Sequence, residues 1–212
     1  ASSGFGAATC LELARAGMNI FGVHMDRKST LHHVEELRRR IEESGKLSVF
    51  FNINAAAPDK REAALHEMTT TLQEHDNPSG IRVFLHSLAF GSLGRFFPTD
   101  SGKPITQDQM KMTLDVMAHS LVYWVQSLVA RKLMGKESRV FAMTSAGGRR
   151  VWPSYGPVSA AKAALESHIR QIALELAPLG ITANAIQAGV TETPASTRIP
   201  GYEEMAAAAM RN

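Results

Sequence analysis

Short apolar runs alternate with amphipathic stretches along this chain, and that alternation most limits how it can fold. Residues 18–24, 47–53, 81–86, 139–144 and 181–186 read as strands. Between them, residues 30–44, 61–75, 106–133 and 155–177 read as helices. In the first of these helices Leu31, Val34, Leu37 and Ile41 recur at three- and four-residue spacing. The third has Asp108 near its start, and the fourth is closed by Pro178, Leu179 and Gly180. Strand–helix–strand alternation implies a parallel sheet with helices on both faces. The expectation is a doubly wound α/β architecture of three layers, forming a single domain over residues 1–212. No internal repeat or low-complexity linker interrupts it, and the alanine run at 206–209 reads as helical.

Both ends look cut. Residue 1 opens directly into a glycine-rich turn and helix (7–16) with no strand before it, and the chain stops just after a helix-like segment. A doubly wound sheet without its first strand would lose a central element and expose edges. The parent protein is therefore expected to continue past both ends, with the first strand and a C-terminal strand outside the given chain. The hydrophobic fraction of 44% supports a sizeable core. No apolar run reaches the roughly 18 residues that span a membrane, and no basic leader is visible. The one cysteine, Cys10, leaves no disulfide framework and no cysteine-based zinc site. These features make a cytoplasmic, reduced protein without membrane attachment the expectation. The net charge of +3 suits anionic cofactors or substrates but indicates no nucleic-acid partner. Arg38, Arg39 and Arg40, followed by Glu42 and Glu43, read as a solvated helix face, and His32–His33 as a solvent-facing pair without a third metal ligand.

Chemistry enters at three places. In the opening, Gly4 and Gly6 run straight into a helix, where backbone can approach a pyrophosphate and helix N–H groups point at it. An ordinary glycine-rich loop is the alternative. A strand begins about 20 residues on, as dinucleotide sites require, and His24, Met25, Asp26, Arg27 and Lys28 sit at its end. An acid there would bind an adenosine ribose and a base a 2′-phosphate. Arg27 and Lys28 favour the phosphorylated cofactor; the competing reading is a surface cluster in which Asp26 pairs with Arg27. The third place is the segment from Ser145 to Lys162. Ser145 follows an apolar strand, at the carboxyl edge where open α/β sheets bind ligands. Tyr155 and Lys162 are seven residues apart, about two helical turns, and can share a face. Reduction of a carbonyl or conjugated enone builds negative charge on oxygen, which a phenol can meet with a hydrogen bond or a proton. A neighbouring ammonium favours the phenolate and can bind ribose hydroxyls.

With these residues in view the chain resembles the short-chain dehydrogenases/reductases over essentially its whole length, which implies a Rossmann-like fold. The opening resembles the later glycines of that family's T-G-x-x-x-G-x-G turn. Residues 183–193 resemble its N-x-I-x-x-G-x-x-x-T segment, and residues 160–165 its active-site helix. The commoner branch places tyrosine four residues before lysine, where this chain has Val158. The wider tyrosine–lysine spacing and the run His86-Ser87-Leu88-Ala89-Phe90 are instead similar to the enoyl-acyl-carrier-protein reductases. The commoner branch's helix asparagine is also replaced, near Met117. Within that subgroup, the short glycine turn and a serine at 145 resemble the NADPH-using type III enzymes.

The resemblance implies Gly4, Phe5, Gly6, Arg27, Asn52, Ile53, Ser87, Leu88, Ala89, Lys162, Gly189, Val190, Thr191 and Thr193 as contacts to NADPH, with NADH as the other candidate. It implies Tyr155, Lys162 and Ser145 as catalytic and a homo-oligomer, a dimer or tetramer, in which the helix bearing Tyr123 and Trp124 meets a neighbouring subunit. The implied reaction is reduction of a trans-2-enoyl thioester, carried on acyl carrier protein, during fatty-acid elongation. Phe96, Phe97, Tyr202, Met205 and Met210 are candidates to line an acyl channel, and residues 193–212 form a candidate lid. Two rivals stand beside this reading: a carbonyl or β-ketoacyl reductase or alcohol dehydrogenase on the same fold, and a non-catalytic NADP(H)-binding module.

Overall fold

The computed structural model describes residues 2–75, 80–99 and 102–211. Its elements alternate as the sequence predicts: α1 (Gly4–Arg15), β1 (Ile20–His24), α2 (Leu31–Glu42), β2 (Ser48–Asn52), α3 (Pro58–Glu74), β3 (Val83–His86), α4 (Gln107–Leu114), α5 (Ser120–Ala130), β4 (Arg139–Thr144), α6 (Gly156–Leu176), β5 (Thr182–Gln187) and α7 (Tyr202–Met210). Every strand pair is parallel, and the architecture is α/β. Among the described residues the ladders form two sheets rather than one, a β1–β2 pair and a β3–β4–β5 triplet. The chain correspondingly divides into two compact units, residues 1–76 and 77–212.

In the first unit β1 and β2 pair from Ile20↔Ser48 to His24↔Asn52. The three- and four-residue spacing read in α2 becomes its buried stripe, Val34, Leu37 and Ile41. Leu37 and Ile41 join Ala14 of α1 and Ile20 of β1 in one cluster, against which Cys10, Leu11 and Phe50 pack. The polar face of α2 carries the arginine run, with Arg39 paired to Glu43 at 3.1 Å. His32 and His33 are exposed on it.

The second unit is organised by α6, which packs on β4 and β5. Its buried stripe, Val158, Ala161, Leu165, Ile169 and Ile172, keeps helical spacing. Lys162 and Glu166 interrupt that stripe and are buried with it. A single 3₁₀ turn, Ala177–Leu179, and left-handed Gly180 end the helix. Strand β4 alternates half-buried and buried residues from Arg139 to Thr144.

The long helix read over 106–133 is interrupted. A π-helical turn, Asp115–His119, separates α4 from α5. At the interruption His119 Nδ1 and His168 Nε2 of α6 lie 3.0 Å apart. The N-terminus is fixed by Thr106 rather than by Asp108: Thr106 Oγ1 accepts from the Gln109 N–H, while the Gln109 carboxamide accepts from the Thr106 N–H. Trp124, 4% exposed, belongs to the core, whereas Tyr123 beside it is 37% exposed. No helix among the described residues is long and apolar enough to cross a membrane.

Candidate functional site

Parallel pairing decides what can meet. In the second unit His86, Thr144 and Gln187 end β3, β4 and β5, so the loops beginning Ser87, Ser145 and Ala188 leave from one edge of the triplet. In the first unit His24 pairs with Asn52, so Asp26, Arg27 and Ile53 also leave from one edge.

At the edge of β4 the polypeptide makes a 3₁₀ turn, Ala146–Gly148, and returns to start α6. Ser154 sits at φ 61°, a left-handed conformation that costs a non-glycine residue free energy. It delivers Tyr155 to the residue before the helix, and Gly94 N–H donates to the Ser154 carbonyl at 2.8 Å. The Tyr155 and Ser145 hydroxyls lie 3.4 Å apart. The Tyr155 ring rests on the backbone of Gly147, where a Cβ would come within 2.4 Å of its Cε1 atom. The Ser159 hydroxyl donates to the Gly147 carbonyl and fixes that turn to α6.

Lys162, 6% exposed, donates to the Met143 carbonyl at 2.7 Å. Burial lowers its pKa to about 8, so the ammonium survives at neutral pH with one proton committed to backbone. One turn further along α6, Glu166 Oε1 accepts from Thr144 Oγ1 at 2.9 Å and Oε2 from Arg149 at 3.1 Å.

His86, 3% exposed, is held by Ser120 at 2.8 Å from its Nε2. The Ser120 hydroxyl spends its proton on the Val116 carbonyl, so it accepts from His86 and fixes the Nε2–H tautomer. Burial, reinforced by the Lys162 charge, pushes the imidazole down to about 3 and keeps it neutral.

Of the residues read as cofactor contacts, Ser87, Leu88 and Ala89 continue directly from β3, with Ala89 exposed. Gly189, Val190 and Thr191 are exposed after β5, and Thr193 is tied to Ser196, whose hydroxyl donates to the Thr191 carbonyl at 2.8 Å. In the first unit Gly4, at φ 54°, opens α1, with Phe5 and Gly6 in the same turn. Helix α1 therefore begins three residues earlier than the sequence indicates.

Sequence reading missed the network around Asp26. Its Oδ2 contacts His24 Nδ1 at 2.9 Å and its Oδ1 accepts from Thr30 at 2.8 Å. Burial raises the carboxyl pKa, but hydrogen bonds from Ser2, Thr30 and His24 together hold it below its ordinary value. Asp26 thus does not pair with Arg27, which is exposed. Asn52 also has local work: Oδ1 accepts from the Asp26 N–H at 2.9 Å and Nδ2 donates to the Asp26 carbonyl at 3.1 Å. No spacing rule signals a contact 26 residues apart. The His86–Ser120 bond and the Glu166 bonds were missed for the same reason.

Around the second site, Phe96 lies against Gly156, where a Cβ would meet its Cζ at 2.5 Å. Phe97 and Met210 are 87% and 85% exposed. Within the candidate lid, Trp152 donates to the Pro200 carbonyl at 2.9 Å and α7 starts at Tyr202. Asn212 lies outside the described residues. Among the described residues no group of three or more His, Cys, Asp or Glu could hold a metal ion.

A family model described as enoyl-(acyl carrier protein) reductase matches residues 1–212. Relatives include the NADPH enoyl-[acyl-carrier-protein] reductase FabI of Staphylococcus aureus, 33% identical over 122 residues that cover 55% of this chain and 44% of that protein. The NADH FabI of Escherichia coli is 29% identical over 124 residues, 58% of this chain and 46% of that one. The NADH FabI of Haemophilus influenzae is 26% identical over 174 residues, covering 81% and 63%. The chain spans about half the length of the curated relatives it matches. Among solved structures, the angucycline C-6 ketoreductase LanV with bound NADP superposes with a TM-score of 0.81 at 20% identity, covering 96% of this chain and 75% of that one. A short chain dehydrogenase from Burkholderia cenocepacia in complex with NADP gives 0.76 at 22% identity, covering 92% and 73%. At such identities these two establish the shared Rossmann-type fold. By the match over its whole length, the chain belongs to the enoyl-(acyl carrier protein) reductase family of short-chain dehydrogenases/reductases.

Proposed function

We propose that this chain is the catalytic part of an NADPH-dependent reductase that saturates the 2,3 double bond of trans-2-enoyl thioesters on acyl carrier protein. Fatty-acid elongation is the setting this reading gives it. The observation that carries the reading is the group at the edge of β4. There Ser145 and Tyr155 present hydroxyls 3.4 Å apart, and the buried Lys162 is anchored to the Met143 carbonyl. The Tyr155-to-Lys162 spacing, with Val158 where the commoner branch has its tyrosine, favours the enoyl substrate over a ketone.

The donor set suits a phosphorylated dinucleotide. The carboxylate of Asp26 is already engaged by His24 and Thr30, so the side chains that can meet a 2′-phosphate at that edge are the exposed Arg27 and, next to it, Lys28. Phe5 and Gly6 offer first-turn N–H groups, which lack helical acceptors, to phosphate. Asn52 would act by shaping the turn at Asp26, with Ile53 beside it. In the second unit Ser87, Leu88, Ala89, Lys162, Gly189, Val190, Thr191 and Thr193 would hold the nicotinamide end. When bound, the cofactor supplies the hydride to the β-carbon. Tyr155 Oη donates a hydrogen bond to the thioester oxygen as enolate charge develops there, and the enolate collapses by taking a solvent-derived proton at its α-carbon, which completes the saturation. Lys162 supplies a positive charge that favours that anion. The Ser145 hydroxyl orients the phenol.

The deciding assay is NADPH and NADH oxidation with a crotonyl thioester beside a β-ketoacyl thioester. Consumption with the enoyl compound, faster with NADPH, is expected. Turnover of the ketone alone would make the protein a carbonyl reductase, and unchanged turnover in Tyr155→Phe would remove the phenol from the chemistry. Assembly into a dimer or tetramer belongs to the same reading. Exposed Tyr123 is an aromatic it offers a neighbouring subunit, and sedimentation velocity tests it.

A further inference from the structure

Glu166 is 8% exposed and lies four residues after Lys162 on α6. A buried carboxylate needs donors, and this one has them at both ends of a single loop. Thr144, which donates to Oε1 at 2.9 Å, immediately precedes Ser145. Arg149, which donates to Oε2 at 3.1 Å, follows the 3₁₀ turn Ala146–Gly148. The enclosed residues are Ser145 and the turn on which the Tyr155 ring rests. A Cβ on Gly147 would lie 2.4 Å from Tyr155 Cε1 and 3.3 Å from Ser145 Oγ. A Cβ on Gly148 would lie 3.5 Å from Glu166 Oε1 and 3.4 Å from the Ala163 nitrogen. The turn is thus pressed against the helix that carries both Lys162 and Glu166.

We propose that Glu166 is a positioning residue: by tying Thr144 and Arg149 to α6 it holds the 144–149 loop in the one arrangement that sets the Ser145 hydroxyl against the Tyr155 phenol. This rests on the catalytic reading of Tyr155 and Ser145 given above. Glu166 touches neither of them. It fixes the backbone from which one projects and against which the other leans. Arg149 is the exposed half of the device, with 74% of its side chain accessible against 10% for Glu166. It can therefore be altered without opening the core.

The test uses the full chain with Glu166→Gln, Arg149→Ala, Arg149→Lys and the Glu166→Gln/Arg149→Ala double variant. With a trans-2-enoyl thioester, Glu166→Gln should lower kcat roughly ten- to hundredfold, the scale of a misplaced catalytic group. KM and the NADPH dissociation constant should stay within about twofold of the parent. Arg149→Ala should lower kcat in the same direction, Arg149→Lys should restore most of it, and the double variant should be no slower than Glu166→Gln alone. A second readout needs no substrate. With 3-fluorotyrosine at the three tyrosines, the ¹⁹F resonance assigned by Tyr155→Phe should move in Glu166→Gln and Arg149→Ala. Those of Tyr123 and Tyr202 should not. An unmoved Tyr155 resonance in both variants overturns the proposal, as does a loss confined to melting temperature or to NADPH affinity. If Glu166→Gln does not fold, Arg149→Ala decides alone. A parent inert toward both enoyl and ketoacyl thioesters, yet with a moving Tyr155 resonance, would defeat the enoyl reading while leaving the positioning role standing.

Discussion

Tyr155 is placed by its neighbours more than by its own bonds, so the sharpest test at the residue scale is the residue beneath its ring. A methyl on Gly147 would meet Tyr155 Cε1 at 2.4 Å, closer than any tolerated contact. The ring, or the turn that carries Ser145, must then shift. Gly147→Ala is expected to lower kcat by about ten- to hundredfold, since displacement by about an ångström has that cost, while cofactor affinity measured by fluorescence titration holds. Unchanged kcat would mean the ring does not rely on that surface. Lys162 gives a second prediction. Burial brings its pKa down to about 8, so its positive charge is present at neutral pH and disappears as pH rises through that value. The pH profile of kcat/KM between 6 and 10 should therefore fall above about 8, and a flat profile would remove the Lys162 charge from the chemistry. Tyr155 and Lys162 were legible as candidates only from the whole segment between Ser145 and Lys162, since their spacing alone says little. The glycine that seats the ring was not, because a close approach leaves no mark on one sequence.

Among the elements, hydrophobic period predicted existence and type well and continuity poorly. Strand β4 occupies the residues the alternation indicated, and α6 differs from its predicted span by one residue at each end, Tyr155 standing before the first turn and Ala177 falling in the 3₁₀ turn that follows. Helix α4–α5 is where period misleads. One apolar stripe runs through 106–133, but five residues at Asp115–His119 are wound as a π turn. An interruption that short barely moves the stripe, so the sequence reads as one helix. The start of α4 shows the opposite case. Thr106 and Gln109 match the reciprocal capping pattern of a hydroxyl residue followed three positions later by Glu or Gln, a signal passed over in singling out Asp108 near the helix start instead. Because Thr106 satisfies an N–H that would otherwise lack an acceptor, Thr106→Ala should lower unfolding free energy by about 1 kcal/mol. A urea midpoint within error of the parent would show that water replaces the cap.

At the scale of the whole molecule the alternation of strands and helices was legible, and the side-chain contacts that join strand ends to distant loops and helices were not. Asp26–Asn52, Thr144–Glu166 and His86–Ser120 each join residues at least 22 positions apart, which periodicity cannot see. Two buried groups, His86 and Lys162, give the fold a pH dependence that can be worked out. His86 binds its proton at about 3 when folded and near 6.5 when unfolded. Between those values the unfolded chain holds more protons, so stability falls as pH drops from 6.5 toward 3. Lys162 releases its proton at about 8 when folded and at 10.5 when unfolded. Again the unfolded chain holds more protons between them, so burying the ammonium penalises the fold fully below 8, and stability rises as pH climbs from 8 toward 10.5. Each group contributes a slope of about 1.4 kcal/mol per pH unit inside its own window. Urea denaturation without added cofactor at pH 4, 6, 8 and 10 measures both. His86→Asn should remove one proton's worth of slope on the acid side and leave the alkaline side alone. Lys162→Met should remove the alkaline slope and, by taking away the charge that helps hold the His86 pKa down, narrow the acid window without abolishing it. Parallel curves for the parent and both variants would mean that neither group titrates differently on folding.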